Sequence, residues 1–437
     1  MADITILGAG LAGCEAALWL ADRGWQVELW EQKPTAYSPA HKSAGFAELV
    51  CSNSLKSDRI ESAGGLLKAE MRRLGSHLLP IAAQCSVAAG GALAVDRDEF
   101  SALVTQAVEN HPNIAVQRRQ ADDIDPDAGL ILVATGPLTQ PPLADAIARL
   151  TGGHRLSFYD AAAPIVTAES LDMNKVFAAS RWGKGDADYL NCPFDKAGYE
   201  AFYQALIEAE RAPLHDFDQD GELTVYEGCM PVEIMARRGP DTLRFGPLKP
   251  VGLTDPATGR RPWANVQLRR ENREGTLFNL VGFQTNLKFG EQKRVFRMIP
   301  GLENAEFARY GVMHRNTFLD SPRLLLPTLN LREHPNVYFA GQITGFEGYM
   351  ESAACGLLAA RAIHARLRGE TPEVWPAGCM VGALVQYITT ENKDFQPMGA
   401  NMGLLPPLEE RIRDKRQRYA EVSRRALAAL ETAICYE

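Results

Sequence analysis

The sequence predicts an α/β fold in which a parallel sheet is assembled from both ends of the chain, with an α+β insertion between them. A short apolar run at the N-terminus leads into a glycine-rich turn, a helical stretch and a second apolar run. Two later apolar runs, over residues 130–134 and 337–340, are each closely followed by a glycine. The sequence between them has short alternating runs separated by glycine and proline, which is typical of a mixed sheet.

The first unit spans about 31 residues. It predicts a strand over residues 4–7, a helix over 15–23 and a second strand over 27–30, which Glu31 ends. The turn after the first strand consists of Gly8, Ala9, Gly10, Leu11, Ala12 and Gly13. A GxGxxG pattern alone is weak evidence, but this one has a strand before it, a helix after it and an acid at the end of the next strand.

Each position of this unit has a physical role in nucleotide binding. Gly8 permits the tight turn, Gly10 lets the backbone approach a pyrophosphate, and Gly13 allows close packing of helix on strand. The free N–H groups at the start of the helix stabilise the phosphates. Glu31, 18 residues after Gly13, accepts hydrogen bonds from a ribose and disfavours a 2′-phosphate. The unit therefore predicts bound FAD or NAD rather than NADP.

The remaining elements follow from periodicity and punctuation. Residues 32–58 predict a long functional loop or a set of short pieces, and Asp98 is expected to cap a helix over 99–109. Within the insertion, short runs predict strands over residues 243–245, 264–268 and 277–283, and a helix over 196–211. After the strand over 337–340, helices are predicted over residues 347–367, 381–390 and about 408–434.

Two further segments decide between FAD and NAD. Residues 132–137 and 337–342 are hydrophobic strands that run into Gly136 and Gly341, and they resemble the remaining signatures of two-dinucleotide-type flavoproteins. Most such flavoproteins have an Asp after the last glycine, where this chain has Gln342. We predict a Rossmann-like FAD-binding domain of this type, formed by residues 1–155 and 323–437, with the insertion at 156–322. Because no second GxGxxG is present, NAD(P)H would have to dock without a fingerprint of its own.

Composition narrows the class of protein. The chain has 437 residues, 46% of them hydrophobic, and no apolar stretch approaches the ~18 residues of a membrane span. Together with the absence of a signal-peptide pattern, this predicts a cytoplasmic protein without a membrane association. The eight cysteines include no CxxC pair, so we predict neither a disulfide framework nor a metal site.

Two cysteines have a setting that suits chemistry. Cys51 and Cys229 lie in loop-like or strand-end contexts rich in polar residues, glycine and proline, and Arg237 follows Cys229 closely. A thiolate is a strong nucleophile, and neighbouring arginines lower the pKa of a thiol. Cys14 and Cys355 lie on Ala-rich helical stretches and are predicted to be inert. Inert packing remains open for Cys51 and Cys229 on this evidence.

Several runs of sequence carry a family resemblance. They include FAELVCSNSL at 46–55 and EGCMPVE at 227–233, together with residues 8–13, 89–97, 188–193, 309–317 and 345–354. In this order they resemble the bacterial folate- and FAD-dependent tRNA (uracil-5-)-methyltransferases, the TrmFO family. The likeness covers nearly the whole chain, and only the last run also resembles the related flavoproteins that modify the tRNA wobble uridine.

The resemblance implies a reaction and roles for three residues. 5,10-Methylenetetrahydrofolate donates a methylene to C5 of the T-loop uridine (position 54) of tRNA, reduced FAD supplies electrons, and NADPH or NADH is the ultimate reductant. Cys229 is implied to add to C6 of the uracil, since C5 is a poor nucleophile until a thiolate makes it an enolate. Cys51 is implied in proton transfer at C5, and Tyr349 in orienting the base or the flavin.

The charge pattern suits an RNA substrate. The net charge is −8, yet residues 237–323 hold 16 Lys and Arg against 8 Asp and Glu. Phosphate contacts supply affinity, and the target base must leave its stack to react. The candidates for RNA contact are Arg269, Arg270, Lys288, Lys293, Arg294 and Arg297. Some of them could bind the glutamate tail of folate instead, and a solvated basic face is the alternative.

Two other functions remain open on the sequence. The same chemistry could act on a ribosomal RNA uridine, because such a change in specificity could lie in the insertion. A flavin-bearing RNA-binding protein without turnover is the other alternative. The motifs do not distinguish NADH from NADPH or predict an oligomeric state.

Overall fold

The computed structural model describes residues 2–153, 155–183, 186–212, 230–392 and 395–434. The strands are β1 (Ile4–Leu7), β2 (Val27–Trp30), β3 (Ser54–Ser57), β4 (Ser86–Val87), β5 (Ala92–Val95), β6 (Ile114–Gln117), β7 (Leu130–Val133), β8 (Arg155–Ala161), β9 (Ile165–Thr167), β10 (Phe177–Ala178), β11 (Tyr189–Phe194), β12 (Ala264–Arg270), β13 (Leu277–Leu280), β14 (Phe307–Arg309), β15 (Met313–Leu319) and β16 (Val337–Phe339). The helices are α1 (Leu11–Ala21), α2 (Ala63–Arg73), α3 (Leu78–Gln84), α4 (Arg97–Glu109), α5 (Leu143–Leu150), α6 (Lys196–Glu208), α7 (Val232–Ala236), α8 (Thr242–Phe245), α9 (Phe289–Phe296), α10 (Ser321–Leu324), α11 (Tyr349–Leu367), α12 (Met380–Thr389) and α13 (Lys415–Ile434).

A parallel sheet organises the two ends of the chain. Its strand order is β16-β7-β1-β2-β6, so the last strand of the chain joins a sheet begun by the first. Ile4 pairs with Val27 on one side and with Leu130 on the other, which places β1 in the interior of the sheet. Strands covered on both faces need apolar runs, and β7 and β16 are apolar throughout, while β1 and β2 each include one polar residue. The predicted α/β class is confirmed.

Helices α1 and α11 pack directly against each other on this sheet. A Cβ at Gly356 would lie 2.1 Å from the carbonyl oxygen of Ala12, so the two backbones touch where α11 crosses α1. Every residue of α1 is buried. This packing fixes the N-terminal turns of both helices relative to the ends of the strands.

The insertion contains a second, antiparallel sheet. Its order is β10-β11-β12-β13-β9-β14, and it shares a separate core with α6 and α9 that includes Phe202, Phe283 and Phe296. Strands β8 and β15 pair as a two-stranded antiparallel ribbon. In the sequence, β8 lies at the start of the insertion and β15 lies near its end. The predicted domain limits at residues 155 and 322 stay a prediction.

Four local predictions are wrong. Helix α1 spans Leu11–Ala21 rather than 15–23, so it begins within the predicted turn. Asp96, not Asp98, caps α4, since its carboxylate accepts from the N–H groups of Asp98 and Glu99. The run at 243–245 is part of the short helix α8 rather than a strand. Helix α13 begins at Lys415 rather than near residue 408. Residues 408–414, which follow Pro406 and Pro407, are not helical. In the described part of the chain, no helix is long and apolar enough to cross a membrane.

Candidate active site

A cleft lies at the carboxyl ends of the parallel strands. It encloses about 1470 Å³, including its open mouth. Ligands of open α/β sheets bind at this end of the strands. The cleft brings together these residues with a predicted cofactor-binding role: Gly8, Ala9, Gly10, Leu11, Ala12, Glu31, Gly136 and Gly341.

The three glycines of the first turn differ in their surroundings. Gly8 has a φ of +98°, and a Cβ there would lie 2.7 Å from the carbonyl oxygen of Ala134. A Cβ at Gly13 would lie 1.9 Å from the carbonyl oxygen of Gly8, so helix and turn touch there. Gly10 instead faces open space, with its nearest neighbour 3.9 Å away. The absence of a side chain at Gly10 therefore serves something outside the protein, while at Gly13 it serves the fold.

The start of α1 suits a phosphate. Gly10 precedes the helix and provides no side-chain cap, so the N–H groups of the first turn have no partner within the helix. Such a helix end, approached over an open glycine, fits the pyrophosphate of a dinucleotide.

Glu31 connects the second strand to the turn. Its side chain is buried, one carboxylate oxygen accepts from the N–H of Ala9 at 3.0 Å, and the other accepts from the N–H of Lys33 at 3.0 Å. A carboxylate has about four lone-pair sites, so acceptor capacity remains for ribose hydroxyls. Its position on the cleft wall fits that role.

Cys51 and Tyr349 meet on the wall of the same cleft. The Tyr349 Oη lies 3.0 Å from the Cys51 Sγ, although 298 positions separate the two residues. The same oxygen accepts from the backbone N–H groups of Cys51 at 2.7 Å and of Ser52 at 3.2 Å. These two donors occupy both lone pairs of the oxygen, which leaves the hydroxyl proton available to the sulfur.

The protonation of Tyr349 follows from its surroundings. Burial raises the pKa of Tyr349 well above its ordinary value, and the neighbouring Cys51 raises it further. The phenol therefore keeps its proton at neutral pH. A neutral hydroxyl aimed at Sγ favours the thiolate over the thiol, because a hydrogen bond to the charged form stabilises it.

Arg97 holds the loop that leads to Cys51. Its Nη1 donates to the carbonyl oxygens of Leu49 at 3.0 Å and Val50 at 3.1 Å. The rest of its guanidinium forms a bidentate pair with Glu271, at 2.8 and 3.1 Å. Glu271 follows β12, so one arginine joins the loop to the insertion sheet.

Arg269 holds the same loop from the other side. Its guanidinium donates to Asn53 Oδ1 at 2.9 Å and to Ser52 Oγ at 2.7 Å. The Asn53 amide in turn donates to the carbonyl oxygens of Val95 and Arg270. Arg269 is only 7% exposed, so the structure does not support the predicted contact of this residue with RNA. The Arg269 side chain points toward the Cys51 loop, while the next residue of the strand, Arg270, is exposed.

Comparisons with known proteins agree with this architecture. The family profile described as "Glucose inhibited division protein A" matches residues 3–371. Relatives named methylenetetrahydrofolate–tRNA-(uracil-5-)-methyltransferase TrmFO include one from Moorella thermoacetica, 58% identical over 97% of this chain and 96% of its own. One from Heliobacterium modesticaldum is also 58% identical, over 98% of this chain and 97% of its own. The chain belongs to the TrmFO family.

Solved structures extend the comparison to the fold of this TrmFO-family chain. Aquifex aeolicus GidA in its form I crystal superposes with a TM-score of 0.70, at 17% identity, over 99% of this chain and 76% of that one. The form II crystal gives a TM-score of 0.69. The fold is an FAD-binding Rossmann-like α/β fold, as predicted.

The second candidate nucleophile of this TrmFO-family chain, Cys229, lies outside the described residues. The chain that follows is anchored, since the N–H of Val232 donates to the carbonyl oxygen of Gln284 at 2.7 Å. The neighbouring Thr285 approaches Gly311, where a Cβ would lie 2.5 Å from its Cγ2 and 2.7 Å from the carbonyl oxygen of Ala162. Ala162 lines the cleft. The segment after Cys229 is therefore linked to the cleft wall through Thr285 and Gly311.

The other cysteines named in the sequence analysis are buried. Cys14 lies on α1 and Cys355 on α11, with neither exposed to solvent. Burial raises the pKa of the Cys355 thiol to about 11 and that of Cys14 further still. Both therefore stay protonated at neutral pH, as expected of packing residues.

The other predicted RNA contacts lie on or beside β12 and α9. Arg270 and Lys293 are exposed.

The remaining three candidates have partners within the protein. Lys288 pairs with Glu210 at 2.5 Å, and Arg294 pairs with Glu291 at 2.6 Å. Arg297 donates twice to the carbonyl oxygen of Ala305 and is only partly exposed. Their predicted role stays a prediction, and Arg270 and Lys293 have the most suitable placement for it.

Several residues of the site belong to no motif that predicts a role for them. Arg97 and Asn53 lie within runs that carry the family resemblance, but their partners are distant in sequence. His41, in the predicted functional loop, lines the cleft with Nδ1 2.6 Å from Ser38 Oγ, and burial lowers its pKa. Trp30 also lines the cleft, and its buried indole N–H has no partner among the described residues. An orphaned donor beside a nucleotide cradle is a signal that only the tertiary structure provides.

Proposed function

We propose that this chain is a methylenetetrahydrofolate–tRNA-(uracil-5-)-methyltransferase, the activity for which its relatives are named. It acts in the cytoplasm on C5 of the T-loop uridine (position 54) of tRNA. The observation that carries the proposal is the meeting of Cys51 and Tyr349 in the cleft that the glycine turn also lines.

The overall reaction balances with one reductant. The uracil C5–H gains the CH₂ group of 5,10-methylenetetrahydrofolate and becomes C5–CH₃, while tetrahydrofolate is released. This requires one hydride and one proton in addition, and NADPH or NADH is the hydride source. When bound, FAD supplies the two-electron chemistry that passes these reducing equivalents to the methylene carbon.

The chain's own residues suit FAD. Gly10 and the first turn of α1 would hold the pyrophosphate, and Glu31 would accept from the ribose. The buried N–H of Trp30, without a partner in the described part of the chain, is a further polar group on the cleft wall. An open glycine before an uncapped helix is the observation that supports this assignment.

Cys229 is the nucleophile in this proposal. Its thiolate adds to C6 of the uracil and converts C5 into an enolate carbon able to attack the methylene. The support for this role is the family membership and the packing of residues 230–233 toward the cleft wall through Thr285 and Gly311.

Cys51 removes the C5 proton in this proposal. A thiolate at Cys51 is held by the Tyr349 hydroxyl, and Arg97 fixes the backbone on its N-terminal side. Once the methylene is attached, loss of the C5 proton breaks the bond between the methylene carbon and the folate nitrogen, so that tetrahydrofolate leaves and an exocyclic methylene remains at C5. Reduction of that methylene to a methyl group and loss of the Cys229 sulfur from C6 then restore the aromatic pyrimidine. Tyr349 therefore acts as a positioning residue for Cys51.

The test is the Cys229→Ala variant, purified with its flavin and incubated with unmodified tRNA, NADPH and labelled methylenetetrahydrofolate. We expect an unchanged flavin spectrum and loss of 5-methyluridine. Cys192→Ala is the matched control, since Cys192 is buried in the insertion core and should remain active. Unchanged methylation by Cys229→Ala would refute the mechanism.

The same assay, repeated with unmodified ribosomal RNA, separates the alternatives. Label that appears only in ribosomal RNA would show that ribosomal RNA, and not tRNA, is the substrate of the reaction. No label in either RNA, with tight RNA binding, would indicate a binding protein without turnover.

A further inference from the structure

Three aromatic rings form a continuous stack on the insertion. The rings of Phe307 and Tyr310 lie 5.1 Å apart at an interplanar angle of 11°, and those of Tyr310 and Phe289 lie 4.7 Å apart at 17°. Tyr310 is the middle ring, so Phe289 ends the stack. Phe289 is 54% exposed although Tyr310 covers one of its faces, which means that its opposite face is open to solvent.

The stack is held rigidly. Gln292 of α9 is fully buried, and its amide both accepts from the N–H of Gly311 at 2.8 Å and donates to the carbonyl oxygen of Gly311 at 2.8 Å. This two-point bond connects the helix that carries Phe289 to the residue after Tyr310. An exposed ring that is fixed in advance loses little entropy when a planar partner stacks on it.

The stack also adjoins the cleft. Gly311 lies against Ala162, a residue of the cleft wall. Arg309, between Phe307 and Tyr310 in sequence, is close enough to the site for its pKa to respond: burial and Arg97 lower it, while Tyr349 and Cys51 oppose the shift. The residues on either side of Tyr310 are thus close to the proposed catalytic centre, and the Phe289 ring stacks on Tyr310.

The charges around the open ring favour an anionic polymer with planar groups. Lys288, which pairs with Glu210, immediately precedes Phe289, and the exposed Lys293 lies one turn further along α9. Arg294 follows and pairs with Glu291, so the cations near the ring outnumber the acids by three to two. An aromatic face flanked by cations is the arrangement with which proteins bind unstacked bases of single-stranded nucleic acid.

We propose that the stack Phe307–Tyr310–Phe289 is a platform for a nucleobase of the RNA substrate, one that neighbours the target uridine and unstacks with it. The proposal rests on the proposed function. The fourth ring of the stack is then the RNA base, placed on the open face of Phe289, while the adjacent cations contact its backbone. The platform holds the opened loop and leaves the target base free to enter the cleft.

The experiment uses the flavin-loaded enzyme and Phe289→Ala, with Phe289→Trp as the variant that keeps a ring. Phe245→Ala is the matched control, because Phe245 lies on the insertion, is 80% exposed and belongs to no ring stack among the described residues. Binding of unmodified tRNA is measured by fluorescence anisotropy at one fixed salt concentration, and KM is measured for methylenetetrahydrofolate.

We expect Phe289→Ala to weaken tRNA binding by roughly tenfold or more, while Phe289→Trp and Phe245→Ala bind as the wild type does. KM for the folate should not change. A set of stem–loop RNAs, each with one abasic loop position, then identifies the stacked base. One of these RNAs should bind equally to the wild type and Phe289→Ala, because both partners of the same contact are already lost.

Unchanged tRNA affinity in Phe289→Ala, with methylation by the wild type intact, would overturn the platform and leave the proposed function standing. A rise in the folate KM alone would also overturn it and assign the ring to the pterin. A wild-type enzyme that forms no 5-methyluridine in tRNA would refute the proposed function and the platform with it.

Discussion

The glycine turn and the loop around Cys51 line one cleft but are built in opposite ways. The glycine turn works through what is absent: a Cβ at Gly13 would overlap the backbone of Gly8, and one at Gly10 would enter the cleft. The Cys51 loop works through what is added, because side chains from three distant parts of the chain hold it. Arg97, Arg269 and Tyr349 all donate to it or accept from it.

The difference lies in the range of the interactions. The glycine turn needs only consecutive residues between two strands, so its chemistry can be recognised in a short segment. The loop needs partners 47 to 298 positions away, so it takes its shape only when the insertion and α11 are in place. A binding site made of backbone tolerates sequence change elsewhere, whereas a site made of distant side chains depends on the whole fold.

The largest effects are expected in the glycine turn, where two substitutions should separate fold from ligand. Gly13→Ala should lower the free energy of unfolding by at least about 3 kcal/mol, because its Cβ meets backbone at 1.9 Å. Gly10→Val should change it by no more than about 1 kcal/mol, since Gly10 has extended backbone and open space. Gly10→Val should nevertheless purify without flavin.

Flavin absorbance and chemical denaturation of the apoproteins check both expectations. A Gly10→Val protein that retains the wild-type amount of flavin would contradict the placement of the pyrophosphate. A Gly13→Ala protein as stable as the wild type would contradict the close contact between helix and turn.

The next effect concerns Arg97 in the Cys51 loop. Arg97→Met should lower the free energy of unfolding by about 3–5 kcal/mol, because it leaves the carboxylate of Glu271, with a side chain 3% exposed, without its partner. Arg72→Met is the control, since Arg72 pairs with Asp58 at the surface and such pairs contribute about 0–1 kcal/mol. Urea denaturation of both variants measures the difference, and equal losses would mean that the buried pair contributes no more than a surface pair.

The smallest effect separates two neighbouring arginines of β12. Arg270 is exposed, so Arg270→Glu should leave stability within about 0.5 kcal/mol, weaken tRNA binding a few-fold and reduce the salt dependence of binding by about one phosphate contact. Arg149→Glu, on α5 at the surface, is a control for charge reversal itself. Titrations at several salt concentrations test this, and an unchanged salt slope would make Arg270 part of a solvated face.

The adjacent Arg269 shows why the composition of the basic segment did not reveal its function. Both arginines contribute to the same local excess of positive charge, yet one is buried against Asn53 and Ser52. On the sequence alone, reversal of both charges would be the natural test of RNA binding. Because Arg269 is buried, that double variant would lose stability as well as RNA affinity, and the two effects could not be separated. Of these two arginines, only Arg270 is therefore suitable for a test of RNA contact.

Much of the fold could be predicted because its signals are local. The strands over 4–7 and 27–30 and the glycines between them follow from consecutive residues, and the structure has both strands at those positions, although α1 begins at Leu11 rather than at residue 15. The sequence predicts Asp98 as the cap of α4, although Asp96 is the cap, because the two residues have the same capping chemistry and only the backbone geometry distinguishes them. Residues 243–245 alternate between apolar and polar as a strand does, but three residues are too few for periodicity to distinguish a strand from a helix.

By itself, the sequence determined the nucleotide-binding unit and the family, because turns, helix starts and strand ends are specified by neighbouring residues. The tertiary structure decided that Tyr349 reaches Cys51, that Arg269 is internal and that Phe289 ends an open ring stack. These contacts join residues far apart in the chain, and their formation depends on the packing of two sheets. No local pattern encodes that packing. It depends on which surfaces become buried and on the hydrogen bonds that buried polar groups must then form.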